Sequence, residues 1–263
     1  MAKKITVILL TIVLFLSAAT LGVATVFRVS TVTVEASMVS SVAQTEAKEI
    51  RARLEKAYEK ESTLFLDDLA AKEIVKDFPY FRITSFEKAF PNRIVVKISE
   101  DAEVYAVPYS SGVEEKDGYY LLNAQGEILG WREDYANRFD KEKNLLIKGF
   151  EVTPLEGKTL GGDDCYFSAL ALLQKADGLL DGIRRNITEA ELMQRTPQTI
   201  LRLQTREGVE LCIVNPQTQT EEKAERVVNA YLSLSDEKRL TGSLVVLDGV
   251  NGVVADYNPE KMF

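Results

Sequence analysis

Few residues in this chain could do chemistry. Its 263 residues include no histidine, which removes Ser-His-Asp and Cys-His nucleophile pairs, histidine metal sites and imidazole acid/base catalysis. Carboxylates remain, 40 of them. The adjacent pairs Asp67-Asp68 and Asp163-Asp164 are the candidates for the acid and base of an anchored, carboxylate-dependent cell-wall hydrolase. Both pairs also have a structural explanation. Asp67 caps a helix, and Asp163-Asp164 follow Gly161-Gly162 at the start of another, where acidic residues favour the helix dipole. No Gly-rich phosphate loop, Cys-x-x-Cys or serine elbow occurs. The expectation is a binding protein, not an enzyme, with no catalytic, cofactor-binding or metal-binding residues. Cys165 and Cys212 fall at a helix start and in a strand, and two buried thiols are expected there, with a disulfide as the alternative.

The elements around these residues begin with an apolar run from Ile5 to Phe27, 23 residues without a charge. At about 1.5 Å per residue it spans a hydrocarbon core of about 30 Å. Lys3 and Lys4 precede it and only Arg28 follows closely, so the positive-inside rule puts residues 1–4 in the cytoplasm and the remainder outside. A cleaved signal peptide, cut before Thr20, is the competing reading. Without Lys3 and Lys4, 30 basic residues face 40 acidic ones. Such a surface repels phosphate backbones, so nucleic acid is not an expected partner.

Residues 28–103 read as one domain of order βααββ. Arg28 to Ala36 alternates as a strand, and Ser41 with Gln44 forms a capping-box pattern. Ala43, Ala47, Ile50, Leu54 and Ala57 then recur at helical spacing to about Tyr58. Asp67 caps a second helix, with Ala70, Ile74 and Phe78 on one face and Pro79 beyond its end. Two strands follow, Phe81 to Phe90 and Ile94 to Glu100, with Pro91-Asn92 as the turn.

Residues 104–257 read as a second α+β domain built on an antiparallel sheet, followed by a short tail, 258–263. Its hairpins are Tyr119 to Leu122 with Glu127 to Leu129, and Thr199 to Thr205 with Val209 to Val214, the latter packed on one face only. Leu145 to Gly149 is a further short strand, and Tyr166 to Ala176 a helix. Thr218 and Glu221 form a second capping box, opening a helix with Ala224, Val227, Val228 and Tyr231 in one stripe. The last hairpin joins Ser243 to Asp248 with Val253 to Tyr257 through Asn251-Gly252, a strong turn signal.

The segments Phe27-Arg28-Val29, Val32-Thr33-Val34-Glu35, Leu64-Phe65-Leu66-Asp67, Phe78-Pro79-Tyr80, Lys88-Ala89-Phe90-Pro91-Asn92-Arg93 and Ile98-Ser99-Glu100, in this order behind one membrane anchor, resemble the bacterial cell-division FtsQ/DivIB family. Glu222-Lys223-Ala224-Glu225-Arg226 resembles that family's helix before its final hairpin. The resemblance implies a polypeptide-transport-associated (POTRA) domain, a C-terminal β domain and location at the division septum. It implies a non-enzymatic divisome scaffold whose partners are FtsB/DivIC-like and FtsL-like single-pass proteins. Another POTRA-type envelope chaperone or sensor is the alternative within that fold.

The resemblance also implies where a partner binds. A final strand with one neighbour leaves a row of main-chain groups for another chain to pair with. The expected partner-binding residues are Gly252, Val253, Val254, Ala255, Asp256 and Tyr257, and Val254→Pro is the change that would oppose pairing. The same strand could instead simply close a core, with Tyr257 half-buried.

Overall fold

The computed structural model describes residues 2–109, 118–140, 142–155 and 158–262, and the fold is mixed α+β. The chain divides into two units, Met1–Asp101 and Ala102–Phe263.

The first unit opens with α1 (Ala2–Val26), whose Leu9–Val26 stretch has a mean hydropathy of 2.3 and is long and apolar enough to cross a membrane. Behind it come β1 (Thr31–Ser37), α2 (Ala43–Tyr58), α3 (Leu69–Lys76), β2 (Phe81–Ala89) and β3 (Arg93–Glu100). The sheet order is β1-β3-β2, with β1 parallel and β2 antiparallel to β3. Ile94, Val96 and Ile98 of β3 are buried among Ile50, Leu54 and Val75 of the two helices. The buried stripe of α2 ends on Tyr58 and leaves Ala57 exposed, because Tyr58 continues the i, i+4 row from Ile50 and Leu54. The Tyr58 hydroxyl donates to the Asp67 carbonyl and accepts from the Ala71 amide, tying α2 to the start of α3. The Ser41 capping box does not form. Ser40 Oγ instead accepts from the Ala43 amide at 3.2 Å and donates to Glu100, which also accepts the Val39 and Ser40 amides at 2.8 Å.

The second unit is one nine-stranded sheet with helices on it. Its strands are β4 (Tyr105–Tyr109), β5 (Gly118–Leu122), β6 (Ile128–Arg132), β7 (Leu145–Lys148), β10 (Ile187–Arg195), β11 (Gln198–Thr205), β12 (Glu210–Val214), β13 (Ser243–Gly249) and β14 (Gly252–Asn258). A two-stranded ribbon, β8 (Thr153–Pro154) with β9 (Leu160–Gly161), lies outside it. The helices are α4 (Asp164–Leu179), α5 (Thr220–Leu232) and the single-turn α6 (Asp236–Arg239). The order across the sheet is β14-β13-β12-β11-β10-β7-β4-β5-β6.

This sheet is mixed and not antiparallel as expected. β4 with β7, β7 with β10, and β12 with β13 run parallel. For the last two pairs the reason is visible in the connections, since α4 lies between β7 and β10 and α5 between β12 and β13, and a helical crossover returns the chain in the same direction; β7 reaches β4 after the two antiparallel strands β5 and β6. β12 is buried at all five positions, on both faces and not on one. Strands flank it on both sides, and Arg202 and Lys261 reach Glu210 on the face away from the helices. The core between sheet and helices includes Leu172, Leu173, Leu211, Ile213, Val227, Val228 and Val246.

Candidate partner-binding edge

The β13–β14 hairpin turns through Val250-Asn251, with Gly249 opposite Gly252. Gly252 has φ +115°, which favours glycine, and a Cβ there would lie 3.3 Å from a carboxylate oxygen of Glu222 on α5, which would have to give way by a few tenths of an ångström. Along β14, Val253 is buried under α5, while Ala255 and Tyr257 pack against the same core. Full burial of a valine contributes about 1.5–3 kcal/mol, which holds the strand to the unit. Val254 and Asp256 alternate onto the other face and are exposed.

Among the described residues β14 has one strand neighbour, β13, and is an edge of the nine-stranded sheet. A two-residue turn makes its flanking pair a hydrogen-bonded one, and an antiparallel ladder alternates from there. Main-chain groups of Gly252, Val254, Asp256 and Asn258 therefore face β13, and those of Val253, Ala255 and Tyr257 face outward. The Val253 amide confirms this phase, because it points to the Glu222 carboxylate at 3.4 Å. Proline at 254 would break the hairpin's own ladder; proline at 255 removes an outward donor and leaves the ladder intact.

Tyr257 has inward partners. Its hydroxyl donates to the Thr241 carbonyl at 3.2 Å, and Lys238 Nζ lies 5.2 Å from the ring centroid. On the α5 side, Glu222, Arg226 and Asn229 are exposed at i, i+4 and i+7, a polar stripe that an added strand would run along.

The hairpin is braced by Lys223, which in the sequence is one charge among the five residues Glu222 to Arg226. Lys223 is fully buried on α5. Its Nζ, with three N–H donors, lies within hydrogen-bond distance of four acceptors: the Val214 carbonyl (2.9 Å), the Asn215 carbonyl (2.9 Å), Thr218 Oγ1 (2.7 Å) and the Asp248 carboxylate (3.0 Å). Thr218 Oγ1 also donates to Asp248 at 2.8 Å, so the capping box expected with Glu221 does not form. Desolvation pushes the Asp248 carboxyl up, but hydrogen bonds from Lys223 and Thr218 and the lysine charge outweigh it and hold it below its ordinary value. Lysine at the fourth position of an amphipathic helix, between Glu222 and the buried Ala224, is the available signal.

The carboxylate pairs take structural partners. Asp163 Oδ1 accepts the Tyr166 amide at 2.8 Å as the cap of α4, Asp67 Oδ1 accepts the Leu69 amide at 3.0 Å, and Asp68 pairs with Lys72 at 2.7 Å. Cys165 and Cys212 are both free thiols. Cys212 is buried on β12, whereas Cys165 is half-exposed at the start of α4.

No family model matches this chain, and no curated protein matches it.

Proposed function

We propose that this protein is a bitopic scaffold of FtsQ/DivIB type, with a POTRA-like first domain, that holds other single-pass division proteins outside the cytoplasmic membrane. In this reading α1 is the anchor, residues 1–4 are cytoplasmic and the two units act at the septum. The βααββ order directly behind α1, with sheet order β1-β3-β2, supports the POTRA-like assignment. The partner is a FtsB/DivIC-like protein that adds a strand to β14, with a FtsL-like protein in the same complex. The activity is binding and involves no catalytic step.

The observation that carries the reading is the outward row at Val253, Ala255 and Tyr257 on the last strand of the sheet. Strand addition supplies affinity through main-chain hydrogen bonds and specificity through alternate side chains. Val254 and Asp256 on one face, and Tyr257 with the Glu222, Arg226 and Asn229 stripe on the other, would read those side chains.

The test is co-purification of the FtsB/DivIC-like protein of the same cell with the intact protein and with Ala255→Pro. The expected outcome is loss of the partner from a variant whose circular dichroism is unchanged. Equal recovery with both proteins would sink strand addition at β14.

A further inference from the structure

Residues 61–66 join the two helices of the first unit and place apolar side chains where a water-facing loop would carry polar ones. Phe65 is 88% exposed and Leu64 is exposed, with Leu69 and Phe90 exposed nearby in sequence or structure. Leu66 and Thr63 in the same loop are buried, so its inner side is already satisfied. The outward Leu64 and Phe65 are not used by the core of the unit.

The loop is bonded to the chain just where it leaves α1. The Thr63 amide donates to the Phe27 carbonyl at 2.8 Å, and the Val29 amide to the Glu61 carbonyl at 2.9 Å. Thr63 Oγ1 bridges the Phe27 and Pro91 carbonyls, and the Phe27 and Phe90 rings meet edge to face at 6.2 Å. Leu64 and Phe65 thereby line a groove together with Leu16, Ala19, Thr20 and Val23 of α1. Leu16 precedes Val26 by about 15 Å of helix. If α1 crosses a bilayer, a groove reaching that far along it lies within hydrocarbon and not in water. Arg28, Lys60 and Glu61 are the charged residues that line the same groove. Cations there meet lipid phosphates while their stems cover apolar surface.

We infer that residues 61–66 form a second membrane contact, with Leu64 and Phe65 inserted into the leaflet beside α1 and Arg28 and Lys60 at the phosphate level. This rests on the reading of α1 as a membrane span. One helix alone fixes a distance from the bilayer but leaves rotation about its axis free; a second contact removes that freedom for the first unit. The occupant is lipid, because the groove is continuous with the span and two of the three charged residues lining it, Arg28 and Lys60, are cations in an otherwise acidic chain, Glu61 being the third.

The experiment uses the full chain in phosphatidylcholine–phosphatidylglycerol vesicles carrying nitroxide-labelled acyl chains, in a Trp131→Phe background. Phe65→Trp reports the loop, and Phe15→Trp, at an exposed position of α1, reports the span. The expected result is loss of emission in both proteins, Phe65→Trp by the shallow label and Phe15→Trp by the deep one. Quenching of Phe15→Trp with none of Phe65→Trp overturns the inference and leaves the anchor in place. No quenching of Phe15→Trp overturns the anchor reading, and the inference with it. Should the background fail to fold, the same variants with Trp131 retained give the answer as extra quenching over the parent protein.

Discussion

Lys223 Nζ lies 3.0 Å from the Asp248 carboxylate, and the lysine side chain is fully buried while the aspartate side chain is 38% exposed. This pair joins the first turn of α5 to the end of β13, two residues before the Val250-Asn251 turn. Because the lysine also holds the Val214 and Asn215 carbonyls, it fixes where α5 starts relative to the end of β12. Lys223→Met would leave those acceptors unpaired. The expected cost is about 3 kcal/mol, the lower end for a broken buried pair because Asp248 can rehydrate. Urea unfolding of the second unit, followed through Trp131, would read it as a lower midpoint at unchanged slope.

The same pair sets an acid limb. Asp248 is held below its ordinary value of 3.8 in the folded protein. Its contribution is therefore present above that unfolded value and is lost as pH falls through the folded one. Asp248→Asn should lower the unfolding midpoint at neutral pH and flatten its decline below the ordinary aspartate range. An unchanged acid limb would show that other carboxylates dominate there.

The phase of the β14 ladder separates two neighbouring substitutions. Val254→Pro removes an amide bonded to β13 opposite Leu247 and should cost about 1–3 kcal/mol. Ala255→Pro removes an outward amide and should cost less, while having the larger effect on partner recovery. Thermal unfolding of both variants beside the co-purification assay checks the ordering. A larger stability loss in Ala255→Pro would mean that the assigned phase is wrong.

How far the sequence discloses this architecture depends on the kind of signal. Elements with strong local periodicity are legible: β3, α2, α5 and the last hairpin fall within a few residues of their expected ends. Elements defined by distant partners are not. β10 is missed because a bulge between Ile187 and Glu189 breaks its alternation, and β4 is missed because it carries Pro108 and little pattern of its own. The capping boxes fail because local spacing does not reveal competition. Ser41 gives way to its neighbour Ser40, whose Oγ accepts the Ala43 amide and is held in place by Glu100, sixty residues away, and Thr218 is taken by Asp248 and Lys223. The edge position of β14 is a topological property, and its outward residues follow only once the turn fixes the ladder phase.

Gly252 offers a test of the turn itself. At φ +115° any side chain is strained, and the contact with Glu222 adds to it. Gly252→Ala should cost about 1 kcal/mol or more. Adding Glu222→Ala should restore only the contact part, so the double variant should stay less stable than Glu222→Ala alone. Equal stability of those two proteins in thermal unfolding would show that the backbone is not the constraint.

The two thiols should differ in reactivity. Burial pushes Cys212 up to about 12, the Glu210 charge adds to this, and Arg202 opposes it. Cys165 is also raised, chiefly by burial and then by Asp163 and Asp164, but it remains half-exposed, with its sulfur 3.9 Å from Gln217 Oε1. Since the thiolate is the nucleophile, alkylation at mildly alkaline pH should modify Cys165 slowly and leave Cys212 untouched until the second unit unfolds. Mass spectrometry should then find one modified thiol in the native protein and two in denaturant. Early modification of Cys212 would mean that β12 opens to solvent, which a central strand buried on both faces does not permit without loss of its pairing with β11 and β13. The Cys165→Ser protein should resist the reagent entirely while folded.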